Sequence, residues 1–180
     1  MTRSILSLLV ALASATLVQA HMEMASPPPR RSQRNPFVKE ADRDYNLNFP
    51  LEPHTEFKFP CRGSPAGPSV STLTPGTSYP VQLFGSAIHN GGHCQFSISY
   101  DGGKTFVALH TILNRCMLDG LSFQVPLPAT LPGGPAVFAW TWINATGNRE
   151  LYMNCADVTV NGPAKGTLKG PKIVVANIPG

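Results

Sequence analysis

Proline and glycine interrupt this chain at short intervals, and their spacing limits what it can fold into. The 180 residues include 18 Pro and 16 Gly. Between residues 21 and 68 prolines recur so often, as in Pro27-Pro28-Pro29, that long helices and central strands are excluded. A long ordered loop in a compact domain is usually functional or covalently tied. We therefore predict long Pro-rich N-terminal loops that are held in place through Cys61.

The later part of the chain has the pattern of short β-strands. Phe96, Ile98 and Tyr100 alternate with polar residues and so share one strand face. Asp101-Gly102-Gly103 predicts a tight hairpin turn, because glycine tolerates the positive φ that such turns need. No segment has a convincing helical period. Strands are predicted at residues 79–85, 95–100, 104–111, 121–126, 136–143 and 151–160.

Short strands separated by Gly/Pro turns favour an all-β fold, an antiparallel β-sandwich. Trp140 and Trp142 alternate with Thr141 and are expected to face its core. We expect one domain over residues 21–180, in which residues 161–180 form a trailing strand or an extension. The composition, 42% hydrophobic and 13% charged, excludes a disordered chain. No long block of charge indicates a nucleic-acid partner.

The first twenty residues have the pattern of a secretory signal peptide. Arg3 precedes an apolar run from Ile5 to Val18, and a small residue, Ala20, closes the segment. The run is too short for a stable membrane span, and no second apolar stretch follows. We expect cleavage after Ala20 and a secreted, extracellular protein that is not attached to a membrane and begins at His21.

Four cysteines lie in the expected mature chain, and an even number in an oxidising compartment predicts two disulfide bonds. Four cysteines allow three pairings, and spacing alone does not choose among them. The cysteines are Cys61, Cys94, Cys116 and Cys155.

A histidine at a free N-terminus would offer two nitrogens to one metal ion. The α-amine has a pKa of roughly 7.7–8.0, so a metal displaces its proton easily near neutral pH. One further imidazole would complete a set of three nitrogens, and tetragonal nitrogen sites favour Cu(II). The alternative is that a histidine stands at this position by coincidence, because cleavage must leave some residue at the N-terminus. The cut could also fall one position away, so that the mature chain begins at Ala20 or Met22.

The second imidazole has four candidates, and His89 is the strongest. A strand delivers His89, and Gly91-Gly92 follow it, so that another chain segment can approach closely. His93 is the rival ligand, although we interpret it as a surface or second-sphere group. His54 is expected to be solvated, and His110 to be an ordinary half-buried histidine.

Glu150 and Tyr152 share strand parity, whereas Leu151, Met153 and Cys155 share the opposite parity. If the apolar set faces a core, Glu150 and Tyr152 point together at a site. Taken alone, the two residues are better explained as a surface carboxylate and a packed tyrosine.

Other patterns carry less information about function. Asn144-Ala145-Thr146 is an N-glycosylation sequon in a predicted loop, which is consistent with secretion. Arg30, Arg31 and Arg34 form a small basic patch that is either simply solvated or available to an anionic partner. Serine-hydrolase elbows, H-E-x-x-H sites, P-loops and dinucleotide fingerprints do not occur.

Taken together, these segments resemble fungal lytic polysaccharide monooxygenases, most closely auxiliary activity family 11 and its shorter relatives. The matching blocks occur in the family's order from His21 to about Val160. They are His21-Met22-Glu23-Met24, Asp44-Tyr45, Phe59-Pro60-Cys61-Arg62-Gly63, the run from Gly85 to Gln95, Phe138-Ala139-Trp140-Thr141-Trp142 and the run from Gly147 to Cys155.

The resemblance implies one copper ion held in a histidine brace. His21 would supply its amine and ring, and His89 the second imidazole. Tyr152 would be the axial ligand and Glu150 the second-sphere acid. The implied fold is an immunoglobulin-like β-sandwich with the copper on a flat, exposed face.

The resemblance also implies the pairings Cys94–Cys116 and Cys61–Cys155. Two departures from the family's usual pattern stand near the second histidine. Asn90 and His93 interrupt a run that is usually glycine-rich. The segment from Cys116 to Leu121 is short, which bears on substrate choice.

The activity implied is oxidative cleavage of glycosidic bonds in a crystalline, insoluble polysaccharide, with chitin as the family's known substrate. The implied partners are that polymer, an external electron donor, and oxygen or hydrogen peroxide, and the protein is expected to be a monomer. Two alternatives remain: a secreted copper-binding protein with the brace but no polysaccharide activity, and a non-catalytic chitin-binding module.

Overall fold

The computed structural model describes residues 22–52, 55 and 57–177. The predicted signal peptide, His21 and His54 lie outside the described residues. None of the helices in the described part has the length and apolar character needed to cross a lipid bilayer. The elements are the strands β1 (Met22–Ser26), β2 (Ser71–Leu73), β3 (Ser78–Gly85), β4 (Gly92–Ser99), β5 (Val107–Ile112), β6 (Ser122–Pro126), β7 (Gly134–Asn144) and β8 (Leu151–Val160), with two 3₁₀ turns at Glu40–Asp42 and Cys61–Gly63.

The strands form two sheets, which confirms the predicted β-sandwich. One sheet has three antiparallel strands in the order β1-β3-β6, and the other has five in the order β2-β8-β7-β4-β5. Every pair is antiparallel except β2 and β8, which run parallel. Consecutive strands that cross between the sheets are typical of sandwich folds.

The main core lies between the two sheets because the strands alternate. On β3, Tyr79, Val81 and Leu83 are buried and the residues between them are exposed. Trp140 and Trp142 are fully buried in this core, as predicted.

The outer face of the five-stranded sheet is also covered. Leu151, Met153 and Cys155 on β8 are buried there against Leu51 and Phe106. β8 is therefore buried on both faces from Leu151 to Ala156. The Pro-rich region supplies part of that cover, since Leu51, Phe59 and Cys61 pack in this cluster against β8.

The disulfide bonds have the pairing that the resemblance implies. Cys61–Cys155 joins the Pro-rich region to β8, with the Cα atoms 5.3 Å apart. Cys94–Cys116 joins β4 to the loop after β5, with a Cα separation of 5.6 Å. The prediction that Cys61 holds the Pro-rich region in place is thus confirmed.

Two local predictions were wrong. The Pro-rich region begins with a strand, since β1 pairs with β3 along its length. The turn after β4 is not a tight hairpin, because residues 100–106 separate β4 from β5. The Asp101 carboxylate accepts bonds from the backbone amides of Lys104 and Thr105, which stabilises this wider loop.

Two of the three basic residues near the N-terminus, Arg30 and Arg34, are each paired with a carboxylate. Arg30 is only 7% exposed, and its guanidinium binds the Asp157 carboxylate. Arg34 is paired with Glu23 and lies over the ring of Phe84, 4.5 Å from the centroid. The charge of Arg30 is thus neutralised inside the fold, whereas Arg34 is paired with a carboxylate at the surface.

Residues 171–177 lie along the edge of the five-stranded sheet. The backbone amide of Ala108 on β5 donates to the Pro171 carbonyl (2.9 Å). The amide of Val174 donates to Oε1 of Gln95 (2.7 Å). The described part of the C-terminal segment is therefore packed against the sandwich as an extension.

Candidate metal centre

Three predicted site residues, His89, Glu150 and Tyr152, lie at one end of the sandwich, where β3 ends and β4 and β8 begin. Trp142 joins two of them: its ring centroid lies 4.7 Å from that of Tyr152 and 5.9 Å from that of His89. The Trp142 indole donates to the Gly91 carbonyl (2.9 Å) and so fixes the loop that carries His89. Trp142 therefore packs against both His89 and Tyr152.

His89 is held by an unusual loop backbone. His89, Asn90, Gly91 and Gly92 all have positive φ, from +44° at His89 to +113° at Gly92. A Cβ at Gly92 would lie 2.1 Å from the Ile143 carbonyl, so only glycine fits there. Left-handed backbone at a non-glycine residue costs of order 1–3 kcal/mol and persists where the surroundings impose it.

The Cys94–Cys116 disulfide supplies part of that constraint. The Gly92 amide donates to the Asn114 carbonyl and the Cys116 amide donates to the Gly92 carbonyl, both at 3.2 Å. The bridge and these two bonds attach the loop after β5 to the start of β4, three residues from His89.

The Nε2 atom of His89 is buried and has no hydrogen-bond partner among the described residues. Buried polar atoms are nearly always paired, because an unpaired one loses its hydration without compensation. Imidazole nitrogen is a common copper ligand. A buried, unpaired imidazole nitrogen therefore fits the metal ligand that the resemblance assigns to His89.

Tyr152 and Glu150 are joined directly. The Tyr152 hydroxyl donates to the Glu150 carboxylate (2.8 Å). Burial first, and then this carboxylate, raises the pKa of Tyr152 well above its ordinary value. The tyrosine therefore remains a neutral hydroxyl at physiological pH. The two side chains do share a site, and Tyr152 is also packed in the core.

β1 begins beside the strand ends that carry these residues. Met22 pairs with Gly85, four positions before His89. The Met24 amide donates to Oδ1 of Asn154, two positions after Tyr152 (2.7 Å). The start of β1 is thus fixed to both sheets at this end of the sandwich.

Within residues 22–52, 55 and 57–177, no group of three or more His, Cys, Asp or Glu side chains is placed to hold a metal ion. The described donors are Nε2 of His89 and the hydroxyl of Tyr152. A complete site therefore needs a donor from outside the described residues, which is the role predicted for His21.

The other described histidines are not part of this cluster. His93 accepts a bond at Nδ1 from the Asn114 amide and lines a groove with Gln95 and Thr141 on the outer face of the five-stranded sheet. His110 is half-buried and stacks on Phe96. Both histidines are half-buried, as predicted for His110, and His93 lies on the outer face of the sheet.

Sequence reasoning missed two buried amides that organise the site. Asn144 and Asn154 are each 1% exposed on strands that are otherwise apolar. Asn154 binds the Met24 amide and donates to the Leu47 carbonyl (2.9 Å). An amide side chain within an apolar strand pattern is the signal that could have found both, since a buried amide needs partners.

The prediction that the sequon lies in a loop holds for Ala145 and Thr146 but not for Asn144. Asn144 is the last residue of β7, and its side-chain nitrogen donates to the carbonyls of Thr146 (3.0 Å) and Asn148 (2.6 Å). A glycan on this nitrogen would have to displace at least one of these bonds.

Comparison with known proteins gives three curated relatives. The "AA11 family lytic polysaccharide monooxygenase A" of Aspergillus fumigatus is 41% identical over 174 residues, covering 93% of this chain and 78% of the relative. Relatives from Aspergillus oryzae and A. fumigatus, also named AA11 family lytic polysaccharide monooxygenases, are 32% and 33% identical. They match 90% and 84% of this chain, which spans only 40% and 38% of their lengths. No family model matches the chain.

Solved structures with the same fold include two polysaccharide monooxygenases. A cellulose-active enzyme from M. thermophila has a TM-score of 0.57 at 16% identity, over 87% of this chain and 83% of its own. HiLPMO9B has a TM-score of 0.52, also at 16% identity, over 68% and 66%. These neighbours agree with the two-sheet sandwich, and the curated relatives decide the family. The chain belongs to auxiliary activity family 11 of the lytic polysaccharide monooxygenases.

Proposed function

We propose that this protein is a secreted, copper-dependent monooxygenase that cleaves glycosidic bonds oxidatively in a crystalline polysaccharide, with chitin as its substrate. The observation that carries the proposal is the buried Nε2 atom of His89, which lacks a partner among the described residues. The nearby Tyr152–Glu150 pair and the family membership support it.

His21 and His89 would hold the ion, His21 through its amine and ring and His89 through Nε2. This role requires that the signal peptide end at Ala20, so that the amine of His21 is free. β1 supports it, because pairing with β3 fixes the chain next to His21 at the same end as His89. Copper, when bound, would supply the one-electron chemistry that activates oxygen or hydrogen peroxide.

Tyr152 would lie beside the ion as a neutral phenol. Its high pKa, caused mainly by burial, keeps the proton on the oxygen. The Tyr152 hydroxyl directs that proton at Glu150, and the hydrogen bond orients the carboxylate. Glu150 would then be the acid that positions the oxygen co-substrate and exchanges a proton with it.

The overall reaction explains why an electron donor is needed. Inserting one oxygen atom of O₂ into a sugar C–H bond consumes two electrons and two protons and releases one water. The hydroxylated carbon then expels the neighbouring sugar oxygen, which breaks the glycosidic bond. With hydrogen peroxide, the same insertion releases water without further electrons once the metal is reduced.

The chain differs from the family's usual pattern on the loops beside His89. The loop after β5, including Leu118, closes against Gly91 on one side of the site: a Cβ at Gly91 would lie 3.0 Å from the Leu118 side chain. Leu118 is 41% exposed. This short loop forms part of the surface that would face the polymer and would help to select it.

The test is to incubate the mature, copper-loaded protein separately with chitin and cellulose and a reductant, and to analyse released sugars by mass spectrometry. We expect oxidised oligosaccharides from chitin that are absent when either copper or the reductant is omitted.

A protein that binds copper but releases no oxidised sugar from either polymer would contradict the proposal and favour copper uptake or storage. Binding to chitin without copper binding would favour a non-catalytic module. Oxidised products from cellulose alone would contradict the chitin assignment and leave the oxidative activity intact.

A further inference from the structure

Asn144 is the acceptor of the sequon Asn144-Ala145-Thr146, yet its side chain is fully engaged within the fold. The residue is 1% exposed at the end of β7. Both described Nδ2 bonds go to backbone carbonyls, those of Thr146 and Asn148. Its Oδ1 accepts the backbone amide of Glu150 (2.8 Å). An asparagine amide has two donor hydrogens and one carbonyl oxygen, so each of these groups has a partner here.

These three bonds fix the whole connection between β7 and β8. They reach residues 146, 148 and 150, and so attach every second residue of the connection to one side chain. A loop held in this way loses the freedom that an exposed connection of its length normally keeps. Asn144 therefore determines where both the middle and the end of the loop lie.

The middle of the loop contacts the ring of His89. Gly147, between the two anchored carbonyls, lies so close that a Cβ there would be 3.2 Å from Nδ1 and 3.3 Å from Cε1 of His89. The loop backbone thus supports the imidazole at its Nδ1 and Cε1 atoms.

The end of the loop carries the second part of the site. The bond from the Glu150 amide to Asn144 fixes the residue whose carboxylate accepts the Tyr152 hydroxyl. One buried amide thus holds the His89 ring in place through Gly147 and the Tyr152 hydroxyl in place through Glu150.

We propose that Asn144 is a positioning residue for the metal centre and that its sequon is not glycosylated in the folded protein. The first half rests on the proposed function, because it assigns His89 as a ligand. The second half does not, because it depends only on the buried amide. An attached glycan would replace one Nδ2 hydrogen and would need space that a residue with 1% exposure does not have.

The test compares three forms of the protein made in a host that attaches N-linked glycans: wild type, Asn144→Asp and Thr146→Ala. Asn144→Asp keeps the shape and the acceptor for the Glu150 amide but replaces both donors with an oxygen that faces two carbonyls. Thr146→Ala is the matched control, because it destroys the sequon while Thr146 contributes only its backbone carbonyl to the loop.

Intact mass is the first readout. We expect wild type and Thr146→Ala to differ only by the side-chain change, with no glycan in either. A glycan on Asn144 of the folded, secreted wild type would overturn the proposal.

The second readout is the affinity for Cu(II), with its electron paramagnetic resonance spectrum, and the third is hydrogen exchange of the Glu150 amide. We expect Asn144→Asp to bind copper about 10–100-fold more weakly, the range seen when a group supporting a metal ligand is altered. We also expect a changed spectrum, whereas Thr146→Ala stays within about twofold of wild type.

Unchanged affinity and spectrum in Asn144→Asp would overturn the positioning role, provided that wild type binds copper. If wild type itself binds no copper, the proposed function fails. The exchange measurement alone then tests whether Asn144 positions the loop between β7 and β8. If the Glu150 amide exchanges equally slowly in apo wild type and in apo Asn144→Asp, the positioning role of Asn144 is overturned. If Asn144→Asp does not fold, Asn144→Ser provides the same comparison with a smaller side chain that introduces no charge.

Discussion

Gly147 lies against the imidazole of His89, so that a side chain there would displace the ring: a Cβ would be 3.2 Å from Nδ1. Gly147 also has φ +85°, a conformation that costs a residue with a Cβ about 1–2 kcal/mol. Gly147→Ala should therefore destabilise the fold and also displace the His89 ring. We expect copper affinity to fall about 10–100-fold, measured by titration calorimetry on the folded variant.

Gly102→Ala is the matched control for Gly147→Ala. Gly102 has φ +75°, and a Cβ there would meet no atom within 4 Å. The Gly102→Ala variant should lose about as much free energy of unfolding as Gly147→Ala does. It should bind copper with the affinity of wild type. Equal copper affinities in the two variants would show that Gly147 does not support His89.

His89 and His93 are expected to behave differently when replaced. His89→Ala should lower copper affinity more than about 100-fold, because it removes a ligand and not merely a supporting group. His93→Ala should bind copper like wild type, since its ring lines a groove on the outer sheet face. Copper titrations of the two variants check this, and the reverse order would show that the ligand assignment is wrong.

One extra residue before His21 should abolish tight copper binding. The added residue converts the amine of His21 into an amide, which no longer chelates together with the ring at neutral pH. The fold should be unaffected, and matching thermal unfolding curves of the two apo proteins would establish this. Wild-type affinity in the extended protein would mean that the ion, if bound, is held elsewhere.

The two disulfides should contribute unequally to stability. Cys61–Cys155 spans 94 residues and Cys94–Cys116 spans 22. In the chain-entropy account these loops correspond to about 4.7 and about 3.4 kcal/mol of unfolding free energy. Urea unfolding of the two double-alanine variants should show the greater loss for Cys61–Cys155. Equal losses would mean that the length of the closed loop does not determine how much each bridge stabilises the fold.

The Asp101 loop should give the protein an acid-dependent component of stability. Hydrogen bonds from Thr105, Ser99 and Lys104 lower the pKa of Asp101 well below its ordinary range, the bonds from Thr105 being the strongest cause. A lowered folded pKa stabilises the protein above the ordinary carboxyl pKa, and that stability is lost as the pH falls through the folded value.

Asp101→Asn should therefore unfold at a lower temperature than wild type at pH 7. The difference between the two unfolding temperatures should narrow below about pH 4. Asp119→Asn is the control, since that carboxylate forms only an exposed i,i+4 pair with Arg115, a kind of pair worth little. A gap for Asp101→Asn that stays constant down to pH 2 would contradict the assignment.

The strands that the sequence predicts well are those with a clear alternation or a long apolar run. β8 occupies residues 151–160, the range that its pattern predicts. β1 escapes prediction because it is short and precedes three prolines, and its pairing depends on β3, which is distant in sequence. The wide loop after β4 escapes prediction because the sequence shows the glycines of a turn but not which groups Asp101 will bind.

The site could be predicted only in part, for a physical reason. A resemblance can be transferred residue by residue, which led to the prediction of His89, Glu150 and Tyr152 as site residues. Burial of a polar group depends on tertiary packing, so the role of Asn144 and the neutralised Arg30–Asp157 pair did not follow from local sequence. Periodicity places a residue on a strand face but does not show whether a loop covers that face.

The bond between the Met24 amide and Asn154 joins residues 130 positions apart. Contacts of such long range form late and slow the folding of a domain. A chain still emerging from the ribosome has made β1 but lacks β8, so the end of the sandwich around His89 and Tyr152 has no stable form during synthesis. We therefore expect the polypeptide to be completed and folded first, so that any ion bound at this end of the sandwich enters afterwards.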